Sequence, residues 1–256
     1  MMQAGNLFMF VMHNPVRWTD PWGLFAWNEN DLALIDISRQ NTEYHGGIFT
    51  AGNGYVTINI WDVEVTFRNT DRWVITAGNR PIKVRADIFY QAFINAAGGE
   101  MVFLGGHGAF FGIFTAPHLH IAMFAAPGTD GYNSLLEAGS NLTRWGLRHG
   151  YISGTMGGFA RTRGQINGSA YMTRANRQFF NHLSSNVGTI TALFDGYVHF
   201  RDNHNSTFAY SGRWTNSTSY TIGLVNAMGL NHGLSATQVR QAWGINNAFA
   251  ARYFGR

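Results

Sequence analysis

Apolar and polar residues alternate in two neighbouring stretches, Tyr55-Val-Thr-Ile-Asn-Ile and Val63-Glu-Val-Thr-Phe. A period of two turns one face to a core and the other to water, so each stretch predicts a half-buried strand. With 46–51 and 73–76 they make a run of short strands over 46–51, 54–60, 62–68 and 73–76. The breaks fall at Gly52-Asn53-Gly54 and Asn69-Thr70-Asp71. The period then lengthens: Ile88, Phe89, Phe93 and Ile94 recur at helical spacing within 86–97, and Gly98-Gly99 ends the run. Strands are predicted again over 101–104, 110–114, 118–124 and 133–138. The stretch 150–170 holds Gly154, Gly157, Gly158, Gly164 and Gly168 and predicts a long loop. Phe179, Phe180, Leu183, Val187, Ile190 and Leu193 form an apolar stripe that predicts a helix over 175–196. A strand at Phe208–Tyr210 and helices over 217–229, 236–243 and 246–253 complete the chain, with Ser235 as N-cap of the second helix. Residues 25–45 read as a linker, and no internal repeat stands out. The expected class is α+β: an antiparallel sheet with C-terminal helices and a β-rich N-terminal extension.

Composition narrows this picture. The chain has 256 residues, 45% of them hydrophobic, enough to bury a core in one domain plus an extension. Aromatics reach 15% while charged residues stop at 12%, and Gly occurs 31 times. Asn, Ser and Thr take the place of Lys and Glu, a profile that suits a secreted protein. Cys is absent, which excludes a disulfide, a thiolate zinc site and a cysteine nucleophile. No run of twenty apolar residues exists, so no membrane-spanning helix is expected, and the run from Phe8 to Val11 is too short for a signal peptide. The net charge of +4 gathers loosely at Arg144, Arg148, Arg161, Arg163, Arg174 and Arg177, near Tyr151, Phe159 and Tyr171. That is a weaker basic face than nucleic-acid binders usually carry, so nucleic acid is not the expected partner.

The front of the chain reads Asn6-Leu-Phe-Met-Phe-Val-Met-His-Asn14-Pro15-Val-Arg-Trp-Thr-Asp20-Pro21-Trp-Gly23-Leu24. Its prolines fix their own φ and bias Asn14 and Asp20 away from helix, giving an extended segment with two bends. The run resembles the closing segment of the RHS/YD-repeat core, an aromatic strand followed by Asn-Asn-Pro and Asp-Pro-x-Gly-Leu. His13 replaces the first Asn of the pair. In that family the motif joins a secreted shell to a variable C-terminal cargo, often a toxin, and the chain is cut after this Leu. The resemblance implies that 1–24 is a remnant of the shell and that the cargo follows. Its partners would be the parent RHS shell and, where the cargo is toxic, a cognate immunity protein. The cargo would be secreted or delivered into a target cell as part of the larger protein. Self-cleavage is not expected, because two carboxylates sharing a proton are needed and the upstream core is missing from this sequence.

Two distant segments carry a second resemblance. Asn216-Ser217-Thr218-Ser219-Tyr220 opens a predicted helix, and His118-Leu-His-Ile121-Ala-Met-Phe lies on a predicted strand. They resemble the Asn-Cys-x-x-Phe helix opening and the His-x-x-Ile-Tyr-Val strand of permuted papain-like hydrolases, the NlpC/P60 and lecithin–retinol acyltransferase-like families. The resemblance implies a permuted papain-like fold over 101–256, preceded by a β-rich part over 25–100. His118 then takes the place of the catalytic base and Ser217 that of the nucleophilic Cys, while Tyr220 packs the helix on the sheet. A hydroxyl in a first helical turn sits near unpaired N–H groups and the positive dipole end. The bland alternative is that Asn216 or Ser217 simply caps the helix. To orient the His ring, Glu137 is the first candidate, because Leu135, Leu136 and Ala138 surround it; Ser140 and Asn141 follow. The implied reaction is hydrolysis or acyl transfer on an amide, thioester or lipid ester, with neither metal nor cofactor.

Two other readings stay open. His107, His118, His120 and Asp130 make a His/Asp set that would serve a metal-dependent nuclease, although neither a His-Glu-x-x-His helix nor zinc-finger spacing is present. His199, Asp202 and His204 read mostly as loop. The run Gly154-Thr-Met-Gly-Gly158 lacks the Lys-Ser/Thr ending of a phosphate loop. A non-catalytic binding tip would instead use a groove lined by tryptophans such as Trp61, Trp73 or Trp214.

Overall fold

In a computed structural model of the chain, the described residues are 29–52, 54–60, 63–68, 73–75, 82–96, 99–111, 114–139, 141–142, 151–160, 164–170 and 177–256. The RHS-like segment, Ser140 and Trp61 lie outside them. The chain divides into two compact units, Met1–Arg72 and Trp73–Arg256.

The described part of the first unit is a helix and a meander. Helix α1 spans Glu29–Tyr44, where a linker was expected. It buries Ser38 and Thr42, and the Thr42 hydroxyl donates to the Ser38 carbonyl at 2.7 Å. Strands β1 (Ile48–Gly52), β2 (Tyr55–Ile60) and β3 (Val63–Arg68) follow as an antiparallel three-stranded sheet. Val56 and Ile58 are buried, one alternating face of β2, as the period of two requires.

The second unit is built on a mixed sheet. Its strands are β4 (Trp73–Ile75), β5 (Lys83–Arg85), β6 (Glu100–Phe111), β7 (Phe114–Ala125), β8 (Asn141–Leu142), β9 (Ile152–Ala160), β10 (Ile166–Ser169) and β11 (Gln178–Ser184). Their order is β10-β9-β7-β6-β11-β5-β4, with β8 also on β9; β11 and β5 run parallel and the other pairs antiparallel. The helices are α2 (Ala86–Asn95), α3 (Asp130–Glu137), α4 (Thr189–His204), α5 (Ser217–Ala227) and α6 (Ala236–Gln241). Short 3₁₀ turns at Ile245–Asn247 and Ala251–Phe254 replace the last helix expected. The class is α+β, as the sequence indicates.

The two faces of the sheet carry separate cores. On one, Phe89 and Phe93 of α2 meet Phe103 and Phe124, with Phe89 and Phe103 stacked at 5.8 Å. On the other, Ile121, Met123 and Ala125 of β7 pack with Leu193 and Phe200 of α4 and Tyr220, Leu224 and Val225 of α5. Alternation along β7 sends odd residues to the second core and even ones to the first.

Three further elements differ from expectation. Residues 133–137 belong to helix α3, with Ala138 as its C-cap, not to a strand: Thr129 caps the start, its hydroxyl accepting from Tyr132 N–H at 3.2 Å. Leu135 is buried while Leu136 is exposed, a one-in, one-out pair that fits either period. Much of the glycine-rich stretch is strand, β9 and β10, because its glycines permit close approach rather than bending. A Cβ at Gly158 would stand 2.6 Å from Tyr220 Cβ. The stripe over 175–196 spans a strand, a turn and a helix start: β11 ends at Ser184, Gly188 takes a φ of 89°, and α4 begins at Thr189.

One buried carboxylate ties this architecture together. Glu100, fully buried at the start of β6, accepts from Gly131 N–H through Oε1 at 3.2 Å and from Ile190 N–H through Oε2 at 3.0 Å. Those donors lie in the first turns of α3 and α4, and α4 has no side-chain cap of its own. Glu100 thus supplies from the sheet what the helix sequence lacks. Gly131 is small by necessity, since a Cβ there would lie 2.8 Å from the Ile190 Cβ.

Candidate functional site

Helix α5 is buried from Ser217 to Val225, yet all of its first five residues carry hydroxyls: Ser217, Thr218, Ser219, Tyr220 and Thr221. A buried hydroxyl without a partner costs about 1–3 kcal/mol, so where each one bonds is decisive. Thr218 Oγ1 accepts from the Leu119 N–H at 3.1 Å, and Thr221 Oγ1 donates to the Leu119 carbonyl at 2.8 Å. The β7–β9 register runs from Ala125↔Ile152 to Ile121↔Met156, and at Leu119 the helix side chains take the strand's bonds instead. Ser219 Oγ bonds to the Trp214 and Gly244 carbonyls at 3.0 and 2.8 Å.

Asn216 does the capping. Its Oδ1 accepts from the Thr218 and Ser219 N–H groups at 2.8 and 3.3 Å, and Ser219 Oγ accepts in return from Asn216 N–H at 3.3 Å, a capping box. Asn216 Nδ2 also donates to the Gly212 and Trp243 carbonyls at 2.9 and 3.0 Å. That leaves Ser217 and Tyr220, whose phenolic oxygen is buried without a hydrogen bond to any described residue. Ser217 Oγ is likewise buried and makes no hydrogen bond to any described residue, in a residue only 2% exposed. The cap is thus Asn216, and the Ser217 hydroxyl serves no structural bond among the described residues.

The docking at Leu119 brings the backbones of the two predicted residues near each other, while alternation along β7 turns the His118 side chain to the face opposite Leu119, which packs on Ile222 of α5. The 3.1 Å bond from Leu119 N–H to Thr218 Oγ1, extended by covalent geometry on either side, keeps the Cα atoms of His118 and Ser217 within about 12 Å. His118 is 4% exposed, and its Nδ1 lies 3.3 Å from the Tyr210 hydroxyl. No bond joins Ser217 Oγ to His118 in this arrangement. Catalytic hydrogen bonds are often long before substrate enters. Thr218 and Ser219 N–H are bonded to Asn216, so what α5 offers a developing anion is its dipole, about 0.3–1 kcal/mol, rather than those donors.

Comparison of the chain with protein-family models, curated proteins and solved structures gives no match.

The other candidates fall elsewhere. Glu137 is exposed on the last turn of α3 and lines a groove of about 400 Å³ with Ser134, Ser169, Asp195, Tyr197 and Arg201. The hydroxyl found at His118 Nδ1 belongs instead to Tyr210, which sequence reasoning had only as a strand residue. Asn141 lies in β8, paired with Ser153 of β9. His120 is buried over Gly157. Asp130 starts α3 beyond the other end of β7, and the strand from His120 to Ala125 spans about 17 Å. Among the described residues no group of three or more His, Asp or Glu side chains gathers for a metal. His199, Asp202 and His204 lie within α4, not a loop, and Asp202 pairs with Arg201 at 2.7 Å on the surface. Trp73 sits on edge strand β4, four strand spacings or about 19 Å from β7, while Trp214 is exposed just before α5 with Arg213 over its ring at 5.1 Å. No helix among the described residues is long and apolar enough to cross a membrane.

Thr218 and Thr221 are the residues that sequence reasoning missed in the docking itself. A signal was available: hydroxyls spaced i, i+3 on a helix share one face and, where that face is covered, must bond to whatever covers it.

Proposed function

We propose that this chain is the C-terminal effector cargo of an RHS-repeat protein and acts as a Ser/His hydrolase or acyltransferase on an amide, thioester or lipid ester. The observation that carries this reading is the Ser217 hydroxyl, buried in the first turn of α5 and unused by the capping network, on a helix bonded to β7 beside His118. A native fold keeps an unsatisfied buried hydroxyl only at a cost, and a reactive role is one reason for keeping it.

On this reading Ser217 Oγ attacks the acyl carbonyl as His118 Nε2 takes its proton. The tetrahedral intermediate collapses, the leaving group accepts that proton, and the acyl group stays on Ser217 until water or an acceptor alcohol or amine removes it. A serine ionises less readily than the family's thiol, so the reaction depends more heavily on the base. The permuted papain-like relationship, the RHS shell as parent, delivery into a target cell and neutralisation by a cognate immunity protein belong to the same proposal. They rest on the motifs at Asn14–Leu24, His118 and Asn216–Tyr220.

Labelling of the full chain with a fluorophosphonate, followed by peptide mapping, tests it. The expected adduct is on Ser217, lost in Ser217→Ala and slowed in His118→Gln. No adduct, or one at another serine, overturns the reading.

A further inference from the structure

The segment between α4 and α5 is held at both ends and carries Tyr210 in the middle. Its first half forms a ladder along the edge strand β10: Ser206 N–H donates to the Ile166 carbonyl at 3.1 Å, Ile166 N–H to Phe208 at 2.9 Å, and Tyr210 N–H to Gly164 at 2.5 Å. Side chains reinforce it. Gly168 N–H donates to Asn205 Oδ1 at 2.9 Å, and Ser206 Oγ donates to Asn167 Oδ1 at 3.0 Å, with Ser206 itself at a φ of 63°. The second half closes as a tight turn, with Ser211 N–H on the Thr215 carbonyl at 2.7 Å and Thr215 N–H on Ser211 at 3.2 Å, and ends at the Asn216 cap. One short stretch therefore fixes both the ring of Tyr210 and the start of α5.

We propose that Tyr210 is the positioning residue of His118: its phenolic oxygen accepts the Nδ1–H of the imidazole and leaves the lone pair on Nε2. The 3.3 Å approach and the tilted rings, 6.4 Å between centroids, place the hydroxyl at that nitrogen. The direction of the bond follows from burial. His118 is 4% exposed, so an Nδ1–H must find its acceptor inside the protein, whereas Tyr210 is half-buried and its own O–H can turn to water. Burial also raises the pKa of Tyr210 above the usual phenol value, so the acceptor stays a neutral hydroxyl at ordinary pH. A neutral oxygen selects the tautomer without the charge that a carboxylate would lend the imidazolium. Only the catalytic consequence rests on the Ser217 reading; the tautomer itself does not.

The test uses the full chain labelled with ¹⁵N-histidine and read by ring ¹⁵N–¹H spectra at neutral pH, with His118→Gln assigning the His118 signals. The expected wild-type form is Nδ1–H, and Tyr210→Phe, which keeps the ring and removes only the oxygen, moves His118 toward the Nε2–H form while the other histidines hold their shifts. Nε2–H in the wild type overturns the proposal, and that spectrum decides even where Tyr210→Phe fails to fold. An unchanged Nδ1–H form in a folded Tyr210→Phe overturns it as well. In parallel, Tyr210→Phe slows fluorophosphonate labelling of Ser217 about ten-fold and displaces its pH profile. The two readings fail separately. The expected tautomers with no Ser217 adduct in the wild type remove the hydrolase and keep Tyr210, whereas normal labelling with an indifferent tautomer does the reverse.

Discussion

Replacing Glu100 by Gln removes a charge and one acceptor while keeping the shape. In the wild type the two carboxylate oxygens hold Gly131 N–H and Ile190 N–H at 3.2 and 3.0 Å, at the starts of α3 and α4, in a side chain with no exposure. Hydrogen bonds to a charged group are worth about 1.5–3 kcal/mol each, against about 0.5–1.5 for neutral ones. Gln keeps one bond at the neutral value and turns an NH₂ against the other N–H, so one buried donor is orphaned. The favourable meeting of a negative charge with two helix N-termini is lost too, about 0.3–1 kcal/mol each. The expected loss is about 3–5 kcal/mol. For a domain of this size each kcal/mol moves Tm by about 2–4 °C, so the fall is on the order of 10 °C or more. Urea unfolding followed by tryptophan fluorescence, with calorimetry for Tm, measures it. Glu100→Ala, which orphans both donors and opens a cavity, falls at least as far. A Glu100→Gln protein within about 2 °C of the wild type would refute the claim that this carboxylate holds the two helices to the sheet.

Asn216→Ala strips a cap whose oxygen serves two N–H groups and whose NH₂ serves two carbonyls, and the expected cost is about 3 kcal/mol by urea midpoint. Asn216→Asp, ordinarily a good cap, still loses most of that, because its carboxylate then faces the Gly212 and Trp243 carbonyls; near-wild-type stability for Asp would show that the donor side is idle. His182 is held below its ordinary value, chiefly by burial, with a Ser184 backbone hydrogen bond pulling the other way. Its Nε2 is 2.9 Å from Ser185 Oγ, which itself donates to Ala92. The unfolded chain therefore binds the proton more readily, so this contribution to stability is intact above the ordinary His value and declines as pH falls through that range toward the folded one. His182→Gln should flatten the fall between neutral and mildly acidic pH, and an unaltered pH slope would assign it to other groups.

Much of the fold is legible where one local rule dominates. The alternation in β2, the Phe89/Phe93 spacing of α2 and the Ser235 N-cap of α6 all stand in the sequence and in the structure. Legibility fails where two rules give the same pattern. Leu135 and Leu136 fit a strand or a helix, and Thr129, six residues earlier, is what selects the helix. Gly157 and Gly158 look like loop residues, but they are strand residues made small by His120 and Tyr220. At the site, Asn216–Tyr220 as a helix start and His118 on a strand are both local features and both are found. Tyr210 is not local: it reaches His118 across 92 positions of sequence, through a segment whose register is set by β10.

The pairing of Thr218 and Thr221 with both backbone groups of Leu119 makes the front of α5 act as a short stand-in strand. Helix ends ordinarily fray at little cost, because their last bonds face water. This one cannot loosen without stripping a buried strand of its donor and its acceptor. Opening of the first turn and opening of β7 at Leu119 thus become a single cooperative event. The neighbourhood of Ser217 and His118 inherits the rigidity of the sheet interior rather than that of a helix tip, and whatever enters there meets a surface set in advance.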